Sequence, residues 1–193
     1  MHKLTPHLLD TSVRLVEGGD EADRVTLDSP ALAVMTDLRR NRAVTIHGHD
    51  TVGLAERLMT ASGVRLLFVV DVAGQLDGVV TYRDLRGERA LTVAAKERTA
   101  HDALPVSQVM TPAGQVEALD IDAMAHARVR DAVALLREHG RQHTLVTEKD
   151  GSGTVRVRGI FSVTQIGRQL GIAIQASERA QSFAEIEHLI AHG

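Results

Sequence analysis

Apolar positions along the chain fall into two successions with the same order of elements. In the first, residues 43–46 form a short apolar stretch that reads as a strand. Asp50 stands where a helix N-cap is expected, and Val52, Ala55, Leu58 and Met59 follow at helical spacing until Gly63 stops the run. Residues 66–70 are unbroken apolar sequence, the pattern of a strand covered on both faces. Residues 71–74 turn the chain, residues 76–81 read as the partner strand, and a short helix opens near Tyr82. In the second succession residues 119–121 read as a strand, and Val129, Ala132, Val133, Leu135 and Leu136 line a helix that ends at Gly140. Residues 144–147 are the next strand, 149–153 a turn, 155–161 the last strand and 163–170 a helix.

Two copies of one β-α-β-β-α unit are therefore expected, each with a short signature ahead of it. Val34-Met35-Thr36 recurs as Val109-Met110-Thr111, and Gly78-Val79-Val80-Thr81 is matched by Gly159-Ile160-Phe161-Ser162. The organisation read from this is an N-terminal extension over 1–28, a first repeat over 29–90, a linker over 91–105, a second repeat over 106–172 and a C-terminal segment over 173–193. Ser29 and Pro30 are placed to cap and open a helix running to Met35. Residues 11–17 are a weak helix candidate, and part of 87–105 is expected to be helical. Residues 174–192 carry Ala180, Phe183, Ile186, Leu189 and Ile190 at helical spacing, an amphipathic helix that would cover the chain's own flank, a second copy or a target protein.

The doubled unit, with Val-Met-Thr ahead of each copy, resembles the CBS (cystathionine β-synthase) domain family over about residues 30–172. The most diagnostic piece is Gly-hydrophobic-hydrophobic-Thr/Ser-x-x-Asp at the end of the third strand. It stands as Gly78-Val79-Val80-Thr81-Tyr82-Arg83-Asp84, and in the second copy as Gly159-Ile160-Phe161-Ser162-Val163-Thr164-Gln165. The resemblance implies an α+β fold of two repeats packed through their sheets with pseudo-twofold symmetry, flanked by helical segments. It implies two clefts between the repeats that take adenosine-containing ligands such as AMP, ADP, ATP, S-adenosylmethionine or NAD-type molecules, and a homodimer of such pairs.

The motif also makes chemical sense on its own. Where a strand passes into a helix, Thr81 can cap the helix and offer its hydroxyl to a phosphate, and Asp84 can accept two hydrogen bonds from a ribose diol. Gly78 permits close backbone approach. The plainer reading of the same residues is a capping box. In the second copy Gln165 replaces the carboxylate while Ser162 keeps the hydroxyl, so the cleft at Thr81 and Asp84 is expected to be the competent one. Val44 and Ile46 are candidates to pack an adenine face, with Ala43 and Val44 offering backbone groups to its edge. Arg65 resembles a family position facing phosphate, its counterpart in the second copy being Gln142 with His143 beside it. Arg83, inside the motif, and Arg42, with Arg39 and Arg40 ahead of the first strand, complete the candidates.

Composition narrows the function classes. Of the 22 basic residues only Lys3, Lys96 and Lys149 are lysines, and arginine suits bidentate recognition of phosphate or carboxylate. A net charge of −3 and 2% aromatic residues argue against nucleic-acid binding. The absence of cysteine excludes thiolate catalysis, disulfides and Cys-type zinc sites. No long apolar span or signal-like N-terminus is present, so a cytoplasmic location without membrane contact is expected. The pairs His47/His49 and His139/His143 lack a third converging ligand, so no metal is expected. No catalytic signature appears, so the expectation is a non-enzymatic sensor with no required cofactor, signalling to an unidentified protein partner. The competing reading is an interaction scaffold whose clefts have lost their ligand.

Overall fold

The computed structural model describes residues 25–172 and 174; the helix expectations over 11–17 and 174–192 lie outside these residues, Ile174 aside. Within them the chain is a mixed α+β protein with two four-stranded sheets and five helices. Helix α1 (Val52–Ser62) begins where expected, but Thr51 and not Asp50 is its cap: the Thr51 hydroxyl accepts from the Leu54 N–H at 3.2 Å. Asp50 instead accepts from the His47 N–H at 2.9 Å and closes the preceding turn. Gly63 ends the helix at φ 66, a conformation a side chain resists.

In the first unit β2 (Thr45–His47) runs parallel to β3 (Leu66–Val70), and β3 is antiparallel to β4 (Leu76–Thr81). The short α2 (Tyr82–Arg86) and α3 (Glu88–Glu97) follow. The second unit repeats this with β6 (Ala118–Asp120), α4 (Val129–Glu138), β7 (His143–Lys149), β8 (Val155–Ser162) and α5 (Val163–Leu170). The first strand of each unit is displaced by one or two residues from its apolar stretch, because pairing with the next strand sets its limits. The 29–35 helix is replaced by a single 3₁₀ turn, Ala31–Val34, with no side-chain cap. Ser29 spends its hydroxyl on the Thr26 N–H, at 3.0 Å.

The apolar run of β3 divides by strand alternation. Leu67 and Val69 face the helices of their own unit, with Val52, Ala55, Met59, Val80 and Leu85. Leu66 and Phe68 face the other sheet and meet Val79 and Leu145 in a separate core between the units.

Each sheet is finished by the other copy's leading segment. Thr36–Asp37 (β1) pairs antiparallel with β8, and Thr111–Pro112 (β5) pairs antiparallel with β4. Leu27, Ala31 and Val34 are buried among Val129, Val133, Leu136 and Phe161, whereas Leu104, Val106 and Val109 are buried in the first unit's core. Each Val-Met-Thr triplet, read in sequence as the head of the copy that follows it, thus packs on the other copy. Charge holds the first exchange: Arg158, 13% exposed, lies 2.5 Å from Asp37 and 3.1 Å from Glu148, and Arg39 reaches both Glu148 oxygens at 2.9 Å.

The motif glycines are explained here. A Cβ on Gly78 would collide with the Thr111 carbonyl oxygen, and one on Gly159 would stand 2.5 Å from the Met35 sulfur and 2.9 Å from the Thr36 carbonyl oxygen. Gly78 therefore permits close approach of an exchanged strand. Gly78→Ala is expected to destabilise the fold by about 1–3 kcal/mol, an overpacking cost against backbone that cannot move aside. Gly159→Ala should cost less, because the Met35 side chain can give way and the backbone clash, with the Thr36 carbonyl oxygen at 2.9 Å, is milder. Urea denaturation checks this as a lower midpoint at unchanged slope.

Candidate functional site

Among the cavities that the exchanged arrangement leaves between the units, two are related by the pseudo-twofold. Each takes the end of a motif strand from one unit and two loops from the other. The first, about 260 Å³, is lined by Thr81, Arg83 and Asp84, by residues 115–117 ahead of β6, and by residues 140–142 ahead of β7 with His143 at its start. Leu66, Val79, Val116 and Leu145 supply its apolar wall. The second, about 150 Å³, is lined by Ser162, Thr164, Gln165 and Arg168, by residues 42–44 ahead of β2, and by residues 63–65 ahead of β3.

The candidate residues therefore divide. Thr81, Arg83, Asp84 and His143 line the first cavity. Arg42, Ala43, Val44, Arg65 and Ser162 line the second, where His143 also reaches. The expected adenine platform beside Thr81 and Asp84 is thus corrected: Val44 and Ala43 face the opposite cleft. Ile46 lines neither, being 4% exposed and packed in the first unit's core with Val52, Ala55 and Met59. Arg39 is committed to Glu148. Gln115, Glu117 and Arg141 in the first cleft, and Thr164 and Arg168 in the second, were not singled out from sequence. Their signal was positional: they stand in the second copy, or in the helix after the motif, at places meaningful only once the loops cross over.

At the first cleft, β4 ends and α2 begins at Thr81 with extended backbone. Asp84 Oδ2 accepts from the Thr81 N–H at 2.8 Å and from the Thr81 hydroxyl at 2.7 Å, while the Asp84 N–H donates to that hydroxyl at 3.2 Å. The capping box is real, and it takes up the hydroxyl hydrogen expected to meet a phosphate. It also fixes the carboxylate. Glu117 and Arg141 form an ion pair of 2.8 Å at the rim. At the second cleft Ser162 makes no side-chain cap on α5.

His143 opens β7 between the two cavities, and its pseudo-twofold counterpart is Leu66, each pairing across its sheet with a motif hydroxyl residue. Its Nδ1 is buried with no hydrogen-bond partner among the described residues. Burial, aided by the nearby Arg65 and opposed by Asp84, pushes the imidazole down to about 4. His47 and His49 lie elsewhere with rings stacked at 5.4 Å, and among the described residues no group of three or more His, Asp or Glu is arranged to hold a metal ion. Among them, too, no helix is long and apolar enough to cross a membrane.

The His143 environment has a pH consequence. The imidazole is neutral in the folded chain above about 4 but titrates near its ordinary value of 6.5 once unfolded. Unfolding therefore takes up a proton in this window, and the neutral His143 stabilises the fold above it, an advantage lost as pH falls from 6.5 toward 4. His143→Leu, the residue type of the other copy, should narrow the drop in melting temperature between pH 7 and pH 4.5, as read by circular dichroism.

Comparison with known proteins agrees with the geometry. Residues 33–90 match the family model described as CBS domain. No curated protein matches the sequence. Among solved structures, an uncharacterized conserved protein from Pyrococcus horikoshii is similar at 20% identity, covering 82% of this chain and 98% of that one with a TM-score of 0.52. A CBS-domain containing protein from Agrobacterium tumefaciens is similar at 22% identity over 68% of this chain and 88% of that one, TM-score 0.50. A Burkholderia ambifaria protein with CBS domains is similar at 25% identity over 73% and 90%, TM-score 0.50. With two copies of one unit, exchanged leading strands and paired clefts, the chain carries a CBS domain over residues 33–90 and folds as a tandem CBS-domain pair.

Proposed function

We propose that this chain is a regulatory module that binds an adenosine-containing metabolite in the first cleft. The observation that carries the reading is the held carboxylate of Asp84. Both Thr81 donors converge on Oδ2, which leaves Oδ1 without a hydrogen-bond partner among the described residues, at a cavity wall. An ionised carboxylate so placed accepts well from a ribose diol, since hydroxyl donors to a charged oxygen make strong bonds. The apolar wall of Leu66, Val79, Val116 and Leu145 suits the face of a base, and Arg83 and Arg141 suit a phosphate.

The regulatory part of the proposal follows from the construction of the cleft. Thr81, Arg83 and Asp84 belong to one unit, and residues 115–117 and 140–143 to the other. A ligand spanning them favours one relative placement of the units by its differential affinity for that placement. In this reading the response is passed on through a second copy of the chain or through a partner protein, and no chemistry is performed on the ligand.

A thermal-shift screen with AMP, ADP, ATP, S-adenosylmethionine and NAD tests the reading. A ligand at about 100-fold its dissociation constant stabilises by roughly 2.7 kcal/mol, which for a chain of this size is about 5–10 °C. Asp84→Asn keeps an oxygen to cap α2 but removes the charge. It should weaken the responding ligand at least ten-fold while the unliganded melting temperature moves by no more than a few degrees. An absence of any shift, in protein shown by its ultraviolet spectrum to carry no nucleotide, would overturn the sensor in favour of an interaction scaffold.

A further inference from the structure

The two clefts share a plan but not a charge. Around the first, Arg83 and Arg141 are balanced by Asp84 and Glu117. Around the second stand Arg42, Arg65 and Arg168, with no carboxylate among the described residues. The difference arises position by position: the two parallel strand pairs match Arg42 with Gln115, Arg65 with Gln142 and Val44 with Glu117, and the pairings of Thr81 and Ser162 match Asp84 with Gln165. None of the three arginines makes a salt bridge among the described residues.

Hydrogen-bonding capacity differs in the same direction. In the first cleft the helix start is satisfied internally by Thr81 and the Asp84 carboxylate. In the second, Ser162 makes no cap, and Gln165 brings no negative charge to the first turn of α5, an eight-residue helix. A serine hydroxyl, a threonine hydroxyl and an uncapped helix start therefore stand at the same cavity as three guanidinium groups. The Arg65 guanidinium lies 5.4 Å from the centre of the Tyr82 ring, a cation–π contact that leaves its charge uncompensated. The cavity volume of about 150 Å³ falls well below the roughly 300 Å³ at which sites for drug-sized ligands begin. It is also smaller than the first cleft, at about 260 Å³, and with its charge this favours a compact, strongly anionic group.

We infer that the second cleft is a separate site for a compact diphosphate group, held by Arg42, Arg65 and Arg168 with the hydroxyls of Ser162 and Thr164, and needing no ribose. Guanidinium groups match phosphate oxygens in pairs, and a diphosphate offers enough oxygens to engage all three. The diphosphate is either free or the tail of a nucleotide. The inference does not depend on the reading of the first cleft, because the two sites share only Leu66 and His143, neither of which is among the groups assigned to the diphosphate.

Calorimetric titration of the full chain, dialysed free of multivalent anions, with inorganic pyrophosphate, AMP and ADP tests this. Pyrophosphate should bind, and the Arg42→Gln/Arg168→Gln double variant should weaken it at least ten-fold while leaving the AMP response intact. Asp84→Asn should leave pyrophosphate binding unchanged. Tighter binding of ADP than of pyrophosphate, with the same sensitivity to the double variant, would assign the group to a nucleotide tail; the reverse order would assign it to the free anion. Because the unliganded arginines repel one another, the double variant should also melt at the same or a higher temperature at low salt, which shows that its fold is intact. The inference is overturned by an absence of pyrophosphate heat at millimolar concentration, by binding indifferent to the double variant, or by binding lost in Asp84→Asn.

Discussion

Each four-stranded sheet of this chain is completed by two residues that belong, in sequence, to the other copy. The geometry of both clefts depends on that exchange. The β1 pairing with β8 and the β5 pairing with β4 draw the apolar residues around Val34 and Val109 into opposite cores. The two units are then joined twice by backbone as well as by the apolar layer of Leu66, Phe68, Val79 and Leu145. The space allowing this is made by Gly78 and Gly159, where a methyl group would meet the exchanged strand. A composite cleft on each side of the pseudo-twofold is the geometric result.

The two clefts show how a doubled fold diverges by side chain alone. The backbone of the copies stays matched, down to a C-terminal glycine in the left-handed region after α1 and again after α4. On this common frame the first cleft holds a mixture of signs around a fixed carboxylate, and the charged residues described at the second are arginines alone. Opposite charges at the first satisfy one another at the rim, as Glu117 and Arg141 do. The arginines of the second have no such partner among the described residues. His143, wedged between the two, belongs to both, and its burial keeps it neutral where the surrounding arginines already supply charge.

The fold was largely legible in the sequence. Residues 66–70, 76–81 and 163–170 take the strand or helix limits that their apolar spacing and turn residues indicate. Such segments are decided locally, by burial of one or both faces and by a glycine or hydroxyl at the boundary. Where two neighbours compete for one role, the path of the chain decides: Thr51 caps α1 and Asp50 closes a turn, and Ser29 serves Thr26 in place of a helix. Gly78 was legible as a point of close approach, but not what approaches it.

The sequence by itself determined the doubled unit, its elements, the Thr81–Asp84 pair and the loss of the carboxylate at Gln165, because all of these are carried by local spacing and residue chemistry. Only the tertiary structure decided which residues share a cleft. It seated Arg42, Val44 and Arg65 with Ser162, brought Glu117 and Arg141 to Asp84, and withdrew Ile46 into the core. The physical reason is that each cleft lies between two units whose contact comes from strand exchange and the meeting of two sheets, long-range terms that leave no periodicity in the chain.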